Sequence, residues 1–194
     1  MYEAFFEYLK KYSADPLSDQ EKILLKQELI PSKLRKRQFL LQAGDLSKSY
    51  AFIITGSMRM FKVDDKGAEH MVRLGVEGWW MGDRESAAMG TPSRYYIDAW
   101  DNTEVLLINR ESINELIKTV PAFCEMMRLL DERNIIANNR RLTSSISDSV
   151  EKRYDEFVSL YPELLNRFPQ HIIASYLGVN KDTLSRVRRQ RAQK

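Results

Sequence analysis

The sequence predicts an α+β protein: an N-terminal antiparallel β-barrel of β-roll or jelly-roll type, a long central helix and a C-terminal helix-turn-helix. Three observations predict it. Between Lys33 and Asn109, strand-length apolar runs alternate with turns bearing glycine or aspartate. After Pro121 an apolar stripe continues for about 25 residues without a helix breaker. The segment IASYLGVNKDTLSRVRRQ, residues 173–190, sets two short apolar patterns on either side of one glycine.

Helix is expected first. Phe5, Phe6 and Leu9 make one apolar face, and Ser18 with Glu21 stands at capping-box spacing ahead of Ile23, Leu24, Leu25 and Leu29. The runs QFLLQ, YAFIITG, SMRMFKV, HMVRLGV, RYYIDAW and EVLLIN then read as strands. In SMRMFKV, Met58, Met60 and Lys62 oppose Arg59, Phe61 and Val63, although the alternation is imperfect. The many breakers between these runs exclude helix from the region. Helix returns at ESINELIKTV and lengthens after Pro121, a residue suited to a first turn. Phe123, Met127, Leu130, Asn134 and Ala137 follow four-three spacing, with Met126, Leu129, Arg133 and Ile136 beside them. So wide a stripe needs two surfaces, the barrel and a second copy of itself, in a coiled-coil-like homodimer through residues 121–142. Asn134 either fixes register at that seam or faces solvent. Asp148 and Glu151 have capping-box spacing for a further helix, which Pro162 ends.

Composition bounds the function. The 194 residues are 43% hydrophobic and 29% charged, as in a soluble globular protein. No apolar run reaches the ~18 residues of a membrane helix. Glu3 and Glu7 interrupt the apolar N-terminus, so no signal peptide and a cytoplasmic location are expected. Cys124 is the single cysteine, and His70 and His171 lie far apart, which argues against a metal site or an iron–sulfur cluster. No nucleophile elbow, P-loop or dinucleotide glycine motif is present, so no enzyme is expected. The net charge of +3 conceals a terminal run: Lys181, Arg186, Arg188, Arg189, Arg191 and Lys194 against Asp182 give residues 181–194 a charge of +5 and leave −2 for the rest. A charge so placed suits a polyanion, although a solvated tail would look the same.

The terminal segment resolves that choice toward DNA. Ala174 is the small residue a steep helix crossing needs, Gly178 the turn residue, and Asn180 an N-cap. Ile173, Leu177, Val179, Leu184 and Val187 fill the apolar offsets. In the second helix Lys181, Asp182 and Arg186 are placed to reach base edges. Asp182 either accepts from cytosine N4 or orients Arg186. Thr183, Ser185, Arg188, Arg189 and Arg191 are placed for phosphates, which position without specifying.

The segment FPQHIIASYLGVNKDTLSRVRRQ, together with LLQAGD, YAFIITGSMRMF, EGWWMGD and PSRYYIDAWDNTEVLLI in the barrel, resembles the Crp/Fnr family of bacterial transcription regulators over nearly the whole chain. The resemblance implies a cyclic-nucleotide-binding-like effector barrel over residues 1–118, a dimerisation helix over 119–147 and a helix-turn-helix DNA-binding domain over 148–194. It implies a homodimer on palindromic double-stranded DNA, with RNA polymerase as a further partner and DNA affinity set by an effector.

Two departures qualify it. Family members that bind cyclic nucleotides carry a Gly-Glu pair for the ribose and an Arg-Ser-Ala stretch for the cyclic phosphate. Here those positions read Gly82-Asp83 and Ser93-Arg94-Tyr95, which argues against cAMP, because a one-residue shift on a strand reverses the side chain. The segment PELLNRFPQ is also too short for the usual β-hairpin wing. Trp80, Gly82, Asp83, Arg84, Ser93 and Arg94 are the candidate effector residues, and with Trp79, Tyr95 and Tyr96 they suit an anionic effector. Barrel packing with a solvated arginine rim is the alternative. The basic run KLRKR at 33–37 reads as a solvated strand entry or as an addition to a DNA-flanking surface. The cysteine count excludes an Fnr-type oxygen sensor, and no cofactor is expected. Two other functions remain open at this point: a regulator that needs no ligand, and a ligand-binding module whose terminal helices dock a protein.

Overall fold

A computed structural model describes residues 1–192, so Lys194 lies outside the described residues. Helix α1 (Tyr2–Leu9) drives Phe5, Phe6 and Leu9 inward, and Phe5 meets the ring of Phe52 edge-on at 4.8 Å. Burying each such side chain is worth about 1.5–3 kcal/mol. Helix α2 (Asp19–Glu28) starts from a complete Ser18–Glu21 capping box and buries Leu25, while Ile23 stays exposed.

Among the described residues, eight antiparallel strands form two four-stranded sheets. The first has the order β1 (Ile30–Leu34), β8 (Thr103–Asn109), β3 (Ser49–Thr55), β6 (Trp80–Met81). The second has the order β2 (Phe39–Leu41), β7 (Tyr96–Ala99), β4 (Met58–Val63), β5 (Glu69–Gly75). Ile53, Met81 and Val105 of one sheet and Met58, Met60 and Ile97 of the other form the barrel interior. Six strands fall on the expected runs. β1 does not, because Pro31 reads as a breaker; β1 lies at a sheet edge, where the missing N–H is tolerated. The expectation that this region holds no helix is overturned by α3 (Arg84–Met89). This helix is defined by its ends: the Asp83 carboxylate accepts from the Glu85 and Ser86 N–H groups, and Gly90 at φ 65° closes it.

The imperfect alternation of β4 has a cause. Met58 and Met60 face the interior, whereas Phe61 joins Met71, Leu74 and Val76 under the C-terminal helices, so both faces are buried. Beside Phe61 lies Arg59, 2% exposed, which donates from Nε to Asp98 at 2.8 Å and from Nη1 to Glu69. Burial works against its charge, but the hydrogen bonds to Asp98 and Glu69 outweigh burial and hold the guanidinium above its usual range.

Helix α4 (Arg110–Thr119) leads into α5 (Pro121–Ser147), 27 residues long. Its first turns bury Ala122, Phe123 and Met126 against α1, α4 and the barrel. Farther along, Ile135, Leu142 and Ile146 are 61%, 61% and 79% exposed, and with Asn139 they keep four-three-four spacing. Helix α6 (Val150–Leu160) is capped by Ser149 instead of Asp148. Asp148 is committed to closing α5 through its own N–H and pairs with Lys152 at 2.7 Å.

The segment PELLNRFPQ holds a short helix, α7 (Pro162–Arg167), and no strand follows β8 among the described residues. Helices α8 (Gln170–Tyr176) and α9 (Lys181–Ala192) complete a head that sits on the outer face of β4 and β5. β5 is an edge strand, and the head covers its free edge. The Met71 N–H donates to Ser175 Oγ at 3.0 Å, and that hydroxyl donates to the Glu69 carbonyl at 3.0 Å. Arg141 of α5 donates to the carbonyls of Val72 at 2.5 Å and Tyr176 at 2.8 Å, joining long helix, barrel and head. Among the described residues no helix is long and apolar enough to cross a membrane.

Candidate nucleic-acid interface and effector cavity

The turn between α8 and α9 closes as a Schellman motif. Gly178 takes φ 66° and donates to the Ser175 carbonyl at 3.1 Å, while Val179 donates to the Ala174 carbonyl at 2.9 Å. Any residue with a Cβ would be strained at 178. Asn180 then caps α9, its Oδ1 accepting from the Asp182 N–H at 2.8 Å. Ala174, Leu184 and Val187 are buried where the helices meet. At 3.6 residues per turn, the face opposite Leu184 and Val187 carries Asp182, Ser185, Arg186 and Arg189, with Lys181 at its edge.

Lys181, Asp182, Arg186 and Arg189 are exposed; Thr183 and Ser185 are half-buried. Arg186 leans on Thr183 Oγ1 at 3.4 Å. Two residues expected on phosphates are turned toward the head itself. Arg191 pairs with Asp155 of α6, and Arg188 lies against the side-chain amide of Gln170. In the basic run at 33–37, Lys33 pairs with Glu104 at 2.6 Å, and Arg37 lies 4.5 Å over the Trp100 ring.

The cassette positions are closed on themselves. At Gly82 the Tyr50 ring occupies the place a Cβ would need. Asp83, 4% exposed, turns inward, its Oδ1 capping α3 and its Oδ2 accepting from Ser93 Oγ at 2.7 Å. A carboxylate therefore already sits at the N-terminus of α3, where a second anion would be repelled. Arg94 is outside, paired with Glu85 at 2.7 Å.

A cavity of about 450 Å³ lies between β6, α3, α4 and α5. Trp80, Gly82 and Arg84 line it; Asp83, Ser93 and Arg94 do not. Trp79 leaves this group to pack edge-on against Tyr161 at 5.7 Å, and Tyr96 stacks on Phe61. Ile113 and Ile117 of α4 and Met127 and Leu130 of α5 supply an apolar wall. Asn134 also faces the cavity and is not on the exposed stripe of α5.

Four arginines reach the cavity against the single carboxylate of Asp131. Arg84 donates to Asp131 at 2.7 Å, tying α3 to α5, and that hydrogen bond holds Arg84 above its usual range. Arg110 donates to the carbonyls of Ala87 and Ala88, and Arg128 pairs with Glu125 and Glu132. Arg73 of β5 is different. Burial pulls it below its usual range; Tyr176 works the other way, the charges of Arg84 and Arg141 add to the lowering, and Arg73 has no hydrogen-bonded partner among the described residues. The Trp80 indole N–H is likewise buried without an acceptor. Nothing in the sequence marks Arg73, since an arginine on a strand reads as a solvent-facing residue.

Residues 31–120 match the cyclic nucleotide-binding domain. Among solved structures, FixK2 from Bradyrhizobium japonicum superposes with a TM-score of 0.70 at 16% identity, covering 84% of this chain and 83% of that one. A CooA mutant from Carboxydothermus hydrogenoformans gives 0.72 at 16% identity, covering 96% and 84%. CLP from Xanthomonas campestris, a c-di-GMP responsive global regulator, gives 0.68 at 15% identity, covering 91% and 93%. The chain has the Crp/Fnr fold. Comparison with curated protein sequences gives no match. At the positions expected of a nucleotide cassette, the side chains are committed to one another or to the surface. Asp83 and Ser93 satisfy each other there, and Arg94 is displaced to the surface.

Proposed function

We propose that the protein is a homodimeric, sequence-specific DNA-binding transcription regulator of Crp/Fnr type, acting in the cytoplasm and controlled by a small-molecule effector other than cAMP. One observation carries this reading: α9 is held by its inner face and presents Lys181, Asp182, Arg186 and Arg189 outward. Lys181, Asp182 and Arg186 meet base edges in the major groove. Thr183, Ser185 and Arg189 meet phosphates. Arg188 and Arg191 join them once released from Gln170 and Asp155. The divisions at 118/119 and 147/148 then separate effector barrel, dimerisation helix and DNA-binding head, with RNA polymerase a further partner. The closed cassette speaks against cAMP, and the arginine-bearing cavity supports a different effector.

Selection from a random duplex library tests the function. A palindrome is expected, with half-sites about 10 bp or one helical turn apart. Recovery of no common sequence would contradict the reading. The dimer is tested separately. Ile135 and Leu142 lie exposed on one stripe, and aspartate at both forfeits about 3 kcal/mol or more of burial. The double variant Ile135→Asp, Leu142→Asp is expected to weaken association about a hundredfold or more. Sedimentation equilibrium checks this, and an unchanged dimer would remove that stripe from the interface.

A further inference from the structure

We propose that the cavity between β6, α3, α4 and α5 takes an amphipathic organic anion, a compact carboxylate or phosphate head on an apolar body, with Arg73 receiving the charge. The proposal rests on the reading of the chain as an effector-controlled regulator and names the chemistry of that effector. Three observations support it. Arg73 lines the cavity as a half-buried cation with no hydrogen-bonded partner among the described residues, whereas Arg84, Arg110 and Arg128 are each engaged. An unpaired, partly desolvated charge is costly, and an anion that enters beside it recovers that cost. Ile113, Ile117, Met127 and Leu130 give the cavity an apolar stretch that suits an alkyl chain or ring, although the amides of Asn114 and Asn134 also line it.

The third observation concerns polar capacity. Trp80 lines the same cavity from β6 and its N–H is buried without an acceptor, so an acceptor atom reaching it relieves a second unsatisfied donor. A polyanion is disfavoured, because Asp131 already shares the cavity and Asp83 fills the adjacent helix terminus. The ligand charge is therefore small and located at one end.

Arg73 is also placed to report occupancy. Its neighbours Met71 and Val72 are the β5 residues whose backbone groups hold Ser175 and Arg141. A ligand that draws Arg73 into the cavity pulls on the strand that anchors the head.

The test uses the purified full chain and four probes: sodium decanoate, monodecyl phosphate, 1-decanol and cAMP. Titration calorimetry is expected to show one of the two charged probes binding at least about tenfold tighter than decanol, the factor one charge-assisted hydrogen bond supplies. The two charged probes decide between the head groups, and cAMP is expected not to bind. Arg73→Leu is expected to bring the charged probe down to the affinity of decanol, Arg73→Lys to restore part of the difference, and Arg94→Leu to change nothing. Equal affinities for decanol and both charged probes on the wild-type chain overturn the proposal without recourse to any variant. So does a charged probe that binds Arg73→Leu as tightly as wild type, or cAMP binding tighter than either. DNA binding measured on the same preparation separates this from the broader reading. A chain that shifts DNA yet prefers no charged probe loses the anion site alone; one that binds decanoate through Arg73 but never binds DNA keeps the site and loses the regulator.

Discussion

Replacing Asp98 by alanine is expected to destabilise the fold by about 3–5 kcal/mol, the cost of stranding a buried partner charge. Arg59 is 2% exposed and Asp98 is 1% exposed, so neither can recruit bulk water when the other is removed. Asp98 supplies both carboxylate oxygens to Arg59, at 2.8 Å and 3.0 Å, and Glu69 alone would be left as counterion. The pair lies in β4 and β7, beneath Trp100 and Phe61, under the surface on which the head sits. Its loss therefore loosens barrel and head together. Asp98→Asn keeps the shape and one acceptor oxygen, and is expected to cost less than Asp98→Ala. Urea denaturation at neutral pH measures both, and a loss below about 1 kcal/mol for Asp98→Ala would show that the pair contributes no more than an exposed ion pair does.

The second large effect is on sequence reading. Arg186→Ala is expected to remove about 1–3 kcal/mol of discrimination, about 5- to 150-fold, between a selected site and random duplex. Its neighbour Arg189 stands on the same outward face without a partner among the described residues, and Arg189→Ala is expected to weaken all duplexes alike while lowering the salt slope by about one. Competition binding across a salt series distinguishes them. Equal losses on both kinds of DNA for both variants would contradict this division of labour. Arg191 is a poorer choice for the phosphate test, because Arg191→Ala would also break its contact with Asp155 and disturb α6.

Much of this arrangement is legible in the sequence where local chemistry decides the outcome. Gly178 and Asn180 state their own roles, since a left-handed turn residue and a side-chain acceptor are properties of those residue types. The same is true of the Ser18–Glu21 capping box and of the six apolar strands. Legibility stops where tertiary partners decide. Phe61 spoils the alternation of β4 because the head, far later in the chain, covers its outer face. The apolar stripe of α5 is readable, but which half lies on the barrel and which half is bare is not. Helix α3 has no apolar period to announce it and exists through its caps. Of the expected effector residues, Trp80, Gly82 and Arg84 meet in the cavity because they flank the β6–α3 junction. Arg73 joins them from β5, a proximity that only the closed barrel creates.

The central claim is that two copies of the chain, joined along α5, place two α9 helices on one duplex. Sedimentation velocity of the purified chain with a fluorescently labelled duplex in low salt tests it most directly. The predicted result is a complex of two chains per duplex that dissociates as salt is raised. Chains that sediment as monomers, apart from the DNA even in dilute buffer, would contradict it.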